Sequence, residues 1–191
     1  MRICFVGDSI VNGTGDPEYL GWVGRVLRDE RTRRAELTGY NLGIRRDTSA
    51  QVGARWNEEV TRRLPAEFAG RVVFSFGVND CVQEVTPADS LANCEAILGE
   101  AKARWPVFMV GLAPIVSSEA RKRAVHLDGA FFELCAGLAV PYLSVFDALM
   151  ATPLWLDEAG AGDGAHPGAG GYGRLAEIVL ASPAWRRWMA P

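Results

Sequence analysis

Histidine is scarce in this chain: only His126 and His166 occur among 191 residues. Any imidazole chemistry must use one of those two positions. Cysteine shows no pattern either. Cys4, Cys81, Cys94 and Cys135 include no CxxC pair and no regular framework, and Cys4 and Cys135 lie in apolar runs that mark ordinary buried thiols. An excess of one charge is also missing. Lys and Arg number 20 against 23 Asp and Glu, leaving -3, which supplies no field for nucleic acid or an anionic membrane. The basic cluster from Arg25 to Arg34 is interrupted by acidic residues and reads as a solvated helical face. No stretch approaches the ~20 apolar residues that span a bilayer. No apolar leader with a cleavage signature precedes the first apolar run, so a reducing cytoplasm is the expected compartment.

Internal repeats, low-complexity tracts and linkers are lacking too, which leaves one domain over residues 1–191. What the chain does contain is alternation. Short apolar runs at Ile3–Val6, Leu37–Leu42, Val72–Phe76, Val107–Val110 and Pro141–Phe146 read as strands. Helical spacing fills Leu20–Arg34, Ala50–Leu64, Pro87 to about Arg104, Ser118–Leu138 and Gly168–Leu180. Strands separated by such helices imply right-handed βαβ units and a parallel sheet covered on both faces.

In that architecture the loops after the strands share one edge, where ligands bind. Gly7-Asp8-Ser9 follows the first strand, Asn41-Leu42-Gly43 the second and Gly77-Val78-Asn79-Asp80 the third, while Asp163-Gly164-Ala165-His166-Pro167 precedes the last helix. The set supplies what acyl transfer requires. Ser9 offers a nucleophilic hydroxyl, and His166 a base that is largely neutral at pH 7. Asp163, three residues earlier, can hold the Nδ1 proton so that Nε2 faces the serine. Pro167 suits the first helical position and holds His166 at a fixed helix entrance. The backbone N–H groups of Ser9 and Gly43 and the amide of Asn79 are the candidate oxyanion donors.

These four blocks, in this order, resemble the SGNH or GDSL-type esterase/lipase superfamily. The likeness runs from Gly7 to Ala176 when Gly171-Tyr172 and Ala176 of the last helix are included. The resemblance implies a flavodoxin-like three-layer α/β/α sandwich with a five-stranded parallel sheet. It implies Ser9, His166 and Asp163 as nucleophile, base and orienting acid, and Ser9, Gly43 and Asn79 as the oxyanion hole. Metal-free hydrolysis of esters, thioesters or acetylated sugars follows from it, with no cofactor. The chain departs from the pattern at Arg45-Arg46, where relatives often carry small residues. An acidic or polyhydroxylated substrate would meet these arginines; a solvated pair, or an ion pair to Asp47, is the blander reading.

Other residues compete for roles. Asp147, at the end of the fifth strand, rivals Asp163 for the orienting acid. Asp8 and Asp80 flank the proposed catalytic positions and join Arg45 and Arg46 as substrate-pocket candidates, although loop-fixing hydrogen bonds explain both better than a metal does. Cys81 lies beside Asn79-Asp80. His126 sits in a charged helix and reads as structural. Trp185 and Trp188 suit docking against the body or a partner subunit. The function expected is a serine esterase on small esters, with short acyl or O-acetyl groups favoured because little chain is left over for a lid. A thioesterase or lysophospholipase-like hydrolase on the same triad is the alternative. A nucleotide- or flavin-binding module lacks its G-x-G-x-x-G or Walker sequence, and a non-catalytic module does not explain a full set of catalytic residues. The expected partner is a small-molecule ester, and the number of subunits is left open.

Overall fold

A computed structural model describes residues 1–190. In chain order the elements are β1 (Arg2–Gly7), α1 (Ser9–Asn12), α2 (Gly21–Arg33), β2 (Thr38–Gly43), α3 (Ser49–Arg63), β3 (Gly70–Ser75), α4 (Val78–Val82) and α5 (Pro87–Lys102). They continue with β4 (Val107–Val110), α6 (Ser118–Gly137), β5 (Tyr142–Leu143), α7 (Phe146–Met150), α8 (Leu154–Ala161), α9 (Ala169–Ala181) and α10 (Pro183–Met189). All strand pairings are parallel, and the sheet order is β2-β1-β3-β4-β5. This is the expected three-layer flavodoxin-like arrangement.

Strand periodicity explains how one sheet feeds two cores. Cys4 and Val6 of β1 point to the layer built by Val52, Trp56 and Val60 of α3 with Ile97 and Leu98 of α5. Ile3 and Phe5 point the other way, to Trp22, Val23 and Val26 of α2 and Leu175 and Val179 of α9. Trp185 and Trp188 close that second core, with Phe108 ring-centred 5.4 Å from each. Of the two expected docking surfaces, the body is the one they use.

Three sequence expectations need correction. β5 is only Tyr142–Leu143, because Phe146 already opens α7, and Asp147 lies inside that helix rather than at a strand end. Arg25 is not on a solvated face. It is 8% exposed, ion-paired with Asp16, and donates to Glu18 at 2.8 Å. Pro167 does not open the last helix, which starts at Ala169 behind an N-cap at Gly168.

The chain leaves β1 toward β2 and returns to β3 on the other side of β1. The crevice at such a reversal, beyond the carboxyl ends of β1 and β3, is where this fold binds ligands. Gly7 ends β1 there because nothing larger fits: a Cβ would sit 1.8 Å from the Ser75 carbonyl oxygen of β3.

Candidate active site

Ser9 is the first residue of α1, a single turn opened by Asp8. The Asp8 carboxylate Oδ1 accepts the Ile10 N–H at 2.9 Å, and Gly13 closes the turn in the left-handed region. This cap fixes the backbone on which the Ser9 side chain stands. From α3, Arg55 reaches under the site. Its guanidinium donates to the Gly7 carbonyl at 2.9 Å, to the Leu42 carbonyl at 3.0 Å and to Asp47 at 2.6 Å. The ends of β1 and β2 and the 44–48 loop are thus tied to one side chain. Sequence reading gave Arg55 no role, since an arginine on an amphipathic helix ordinarily faces water.

His166 and Asp163 form the second half. The His166 Nδ1 lies 2.7 Å from Asp163 Oδ2, while Asp163 Oδ1 accepts the N–H groups of Ala165 at 3.1 Å and His166 at 3.0 Å. Partial burial would raise the Asp163 pKa. The His166 ring and those two N–H donors outweigh it and hold the carboxyl down at about 2. Asp163 is therefore ionised at neutral pH. In this geometry the carboxylate can hold a proton on Nδ1, the arrangement that turns Nε2 toward a nucleophile. Asp147 does not take this position.

Glu158 of α8 holds the entrance of α9, directly after His166-Pro167. Its Oε2 accepts the N–H groups of Gly168 at 2.9 Å and Gly171 at 2.7 Å, and its Oε1 accepts that of Gly170 at 3.2 Å. Helix N-termini expose such unpaired donors, and a carboxylate satisfies them well. Nothing in the sequence flagged this residue, because α8 was not anticipated.

Ser9, Ile10, Arg45, Arg46, Val78, Asn79, Val82, Asp163, Ala165 and His166 line one cavity of about 290 Å³. The structure thus brings Ser9, His166, Asp163 and Asn79 together. It does not bring Gly43. The Gly43 N–H donates to Asn41 Oδ1 at 3.0 Å, and a Cβ on Gly43 would meet the backbone nitrogen of Asn12 at 2.2 Å. Gly43 is the seat on which α1 rests and not a wall of the cleft. Asp8 and Asp80, each 1% exposed, do not line it either. Asp80 Oδ1 accepts the Ser49 N–H at 2.7 Å, so both carboxylates fix loops. Burial pushes the Asp8 carboxyl up to about 7, against the Ile10 hydrogen bond and aided by the nearby Asp80 and Asp47 charges.

Arg46 occupies the left-handed region at φ 73, uncommon and strained for a non-glycine residue. Its carbonyl accepts from Gln83 at 2.9 Å, while among the described residues its N–H finds no acceptor in the chain. The Asn79 amide donates to the Asp47 carbonyl at 3.0 Å, which orients it and leaves a second N–H. Arg45 pairs with Asp163 at 3.2 Å and not with Asp47, whose partner is Arg55. A second, more open cavity of about 660 Å³ shares Arg45, Asp163 and His166 with the first and extends along Thr14, Gly15 and Glu158. Burial holds the Cys81 thiol up at about 12, and it lies outside this cleft.

A family model, the GDSL-like lipase/acylhydrolase family, matches residues 5–174. The chain belongs to that family. It is a carboxylic ester hydrolase with the α/β sheet of the GDSL/SGNH hydrolases. A lipase/acylhydrolase from Enterococcus faecalis superposes with a TM-score of 0.80 at 24% identity, covering 97% of this chain and 96% of the other. An acetylxylan esterase from Geobacillus stearothermophilus gives 0.79 at 19% identity, covering 100% and 94%. The psychrotrophic esterase of a Pseudoalteromonas species gives 0.75 at 16% identity, covering 98% of each chain. At these identities the likeness is one of fold. No curated sequence matches the chain. No helix is long and apolar enough to cross a membrane among the described residues.

Proposed function

We propose that the protein is a serine esterase acting on small esters, with short acyl or O-acetyl groups, through an acyl-enzyme on Ser9. Ser9 Oγ attacks the carbonyl carbon as its proton passes to His166 Nε2. The tetrahedral oxyanion is met by the backbone N–H of Ser9, the amide of Asn79 and the backbone N–H of Arg46. His166 returns the proton to the alkoxide oxygen, the alcohol departs, and water repeats the sequence on the acyl-enzyme. Asp163 stays ionised and balances the imidazolium.

The observation that carries this reading is the His166–Asp163 contact at 2.7 Å in the cavity that also holds Ser9. Arg46 replaces Gly43 as third donor on three grounds: its position in the cavity, its free N–H and its left-handed backbone. Strain of ~1–3 kcal/mol at a site residue is a recognised cost of presenting such a group. The limited cavity of about 290 Å³ supports a short acyl group, and the open neighbouring cavity suits a polyhydroxylated leaving group. An acetylated sugar satisfies both.

The test is a panel of p-nitrophenyl esters of rising chain length, acetylated oligosaccharides and acyl thioesters, with Ser9→Ala as control. We expect highest kcat/KM on acetyl esters and none above background in Ser9→Ala. A preference for long-chain lipids or thioesters would overturn the substrate reading while leaving the nucleophile intact.

A further inference from the structure

A third cavity, of about 390 Å³, opens between α4, α5 and α6 and falls in the ~300–1,000 Å³ range of small-molecule sites. It is separate from the ester cleft. Val78, Asn79 and Val82 line the ester cleft, whereas Asp80, Cys81 and Val85 of the same segment line this one, so α4 is the wall between them. Val85, Pro87, Leu127 and Ala130 give it an apolar lining.

Two polar groups interrupt that lining, and both are orphaned. Asp80 is 1% and Ser90 0% exposed, yet Asp80 Oδ2 and Ser90 Oγ have no hydrogen-bond partner. Asp80 spends only its other oxygen, on the Ser49 N–H. Buried acceptors are normally satisfied, so two unsatisfied ones in a single apolar wall call for an explanation. The exposed residues around the cavity are already engaged. Lys122 pairs with Glu119 at 3.1 Å, Arg123 donates to the Cys81 carbonyl at 2.9 Å, and His126 Nδ1 lies 2.8 Å from the Lys122 carbonyl. What the cavity lacks is a partner for these two groups at its inner wall, not a charge at its rim.

We propose that this cavity binds a small apolar molecule bearing one hydroxyl or ammonium group: a hydroxyl donates to Asp80 Oδ2 and accepts from the Ser90 Oγ–H, and an ammonium donates to both oxygens. The binding is non-covalent, with the Cys81 thiol protonated and a spectator. The site stands apart from the ester chemistry and does not depend on it.

The test uses the full chain, ¹⁵N-labelled and carrying Ser9→Ala so that no turnover intervenes. It is titrated by NMR with benzyl alcohol, benzylamine, toluene and benzoate. The alcohol or the amine should saturate at sub-millimolar concentration, on the order of what a ligand of this size can reach, and move the amides of Asp80, Cys81, Ser90 and Leu127. Toluene should bind roughly tenfold more weakly for want of the donor. Ser90→Ala should weaken the polar probes about five- to tenfold. Ala130→Leu, which fills the cavity from a half-buried position on α6, should abolish binding. Both substitutions are mild, and dispersed spectra will show that the variants fold. The proposal fails if neither polar probe saturates by about 10 mM, or if toluene matches them and Ser90→Ala has no effect. It fails equally if benzoate binds best or if binding survives Ala130→Leu.

Discussion

Replacing Asp8 by Asn should make the protein more stable, and increasingly so as pH rises. Asp8 is buried beside Ser9 with one oxygen unpartnered, and burial together with Asp80 and Asp47 lifts its pKa from 3.8 to about 7. In the unfolded chain it ionises near its ordinary value. Below that value the group is protonated in both states and contributes nothing to the pH dependence. Between there and about pH 7 the unfolded state gives up the proton and the native state keeps it, so native stability falls with rising pH. Above about 7 the penalty is complete. A shift of about three units at about 1.4 kcal/mol each gives roughly 4 kcal/mol. Asn keeps the side-chain oxygen that caps Ile10 and never ionises. Its buried amide N–H adds a cost that does not vary with pH, so the change with pH is the readout. Urea unfolding of both proteins at pH 5, 6, 7 and 8 should show the difference in favour of Asp8→Asn widening by roughly 2–4 kcal/mol, or about 5–15 °C in Tm. A difference that stays flat over that range would refute the reasoning.

The remaining predictions concern the cleft. Asn79→Ala should lower kcat about 10²- to 10³-fold with little change in KM, as expected for a donor used mainly in the transition state; a loss confined to KM would remove Asn79 from the oxyanion hole. Arg46→Gly should keep activity on neutral esters within about threefold, because the backbone N–H survives and the left-handed strain is relieved. Gly43→Ala should destabilise by about 3 kcal/mol or more, its Cβ being driven into α1, and a stable but inactive Gly43→Ala would return that residue to the oxyanion hole. Glu158→Ala should cost about 1–2 kcal/mol of stability through the α9 entrance and lower kcat, with Glu158→Gln recovering part of both. Unchanged kinetics in Glu158→Ala would confine it to a structural role.

The convergence of Ser9, Asp163 and His166 on one cavity is legible in the sequence because its signals are local and chemical. Gly7-Asp8-Ser9 sits at a strand end, and the Asp163/His166 spacing places both on one turn. The proposed third oxyanion donor moves from Gly43 to Arg46 for a physical reason. Glycine is the usual mark of a tight backbone approach, and Gly43 is in fact needed for one, but against Asn12 and not the substrate. The left-handed backbone at Arg46 leaves no such mark, since arginine rarely adopts it. The segment from 146 to 161 hid α7 and α8 because Pro153 and scattered glycines and alanines mask the helical period. Glu158 was hidden with them. Arg45 was read beside Asp47 because they are neighbours in sequence; the fold instead gives Asp47 to Arg55 and brings Asp163 to Arg45.

The central claim is that Ser9 carries the acyl group. Trapping with an alkyl fluorophosphonate, followed by intact mass and peptide mapping, tests it most directly. The account predicts one adduct per chain, on Ser9, absent in Ser9→Ala and formed much more slowly in His166→Ala. An adduct on another residue, or ester hydrolysis undiminished in Ser9→Ala, would contradict it.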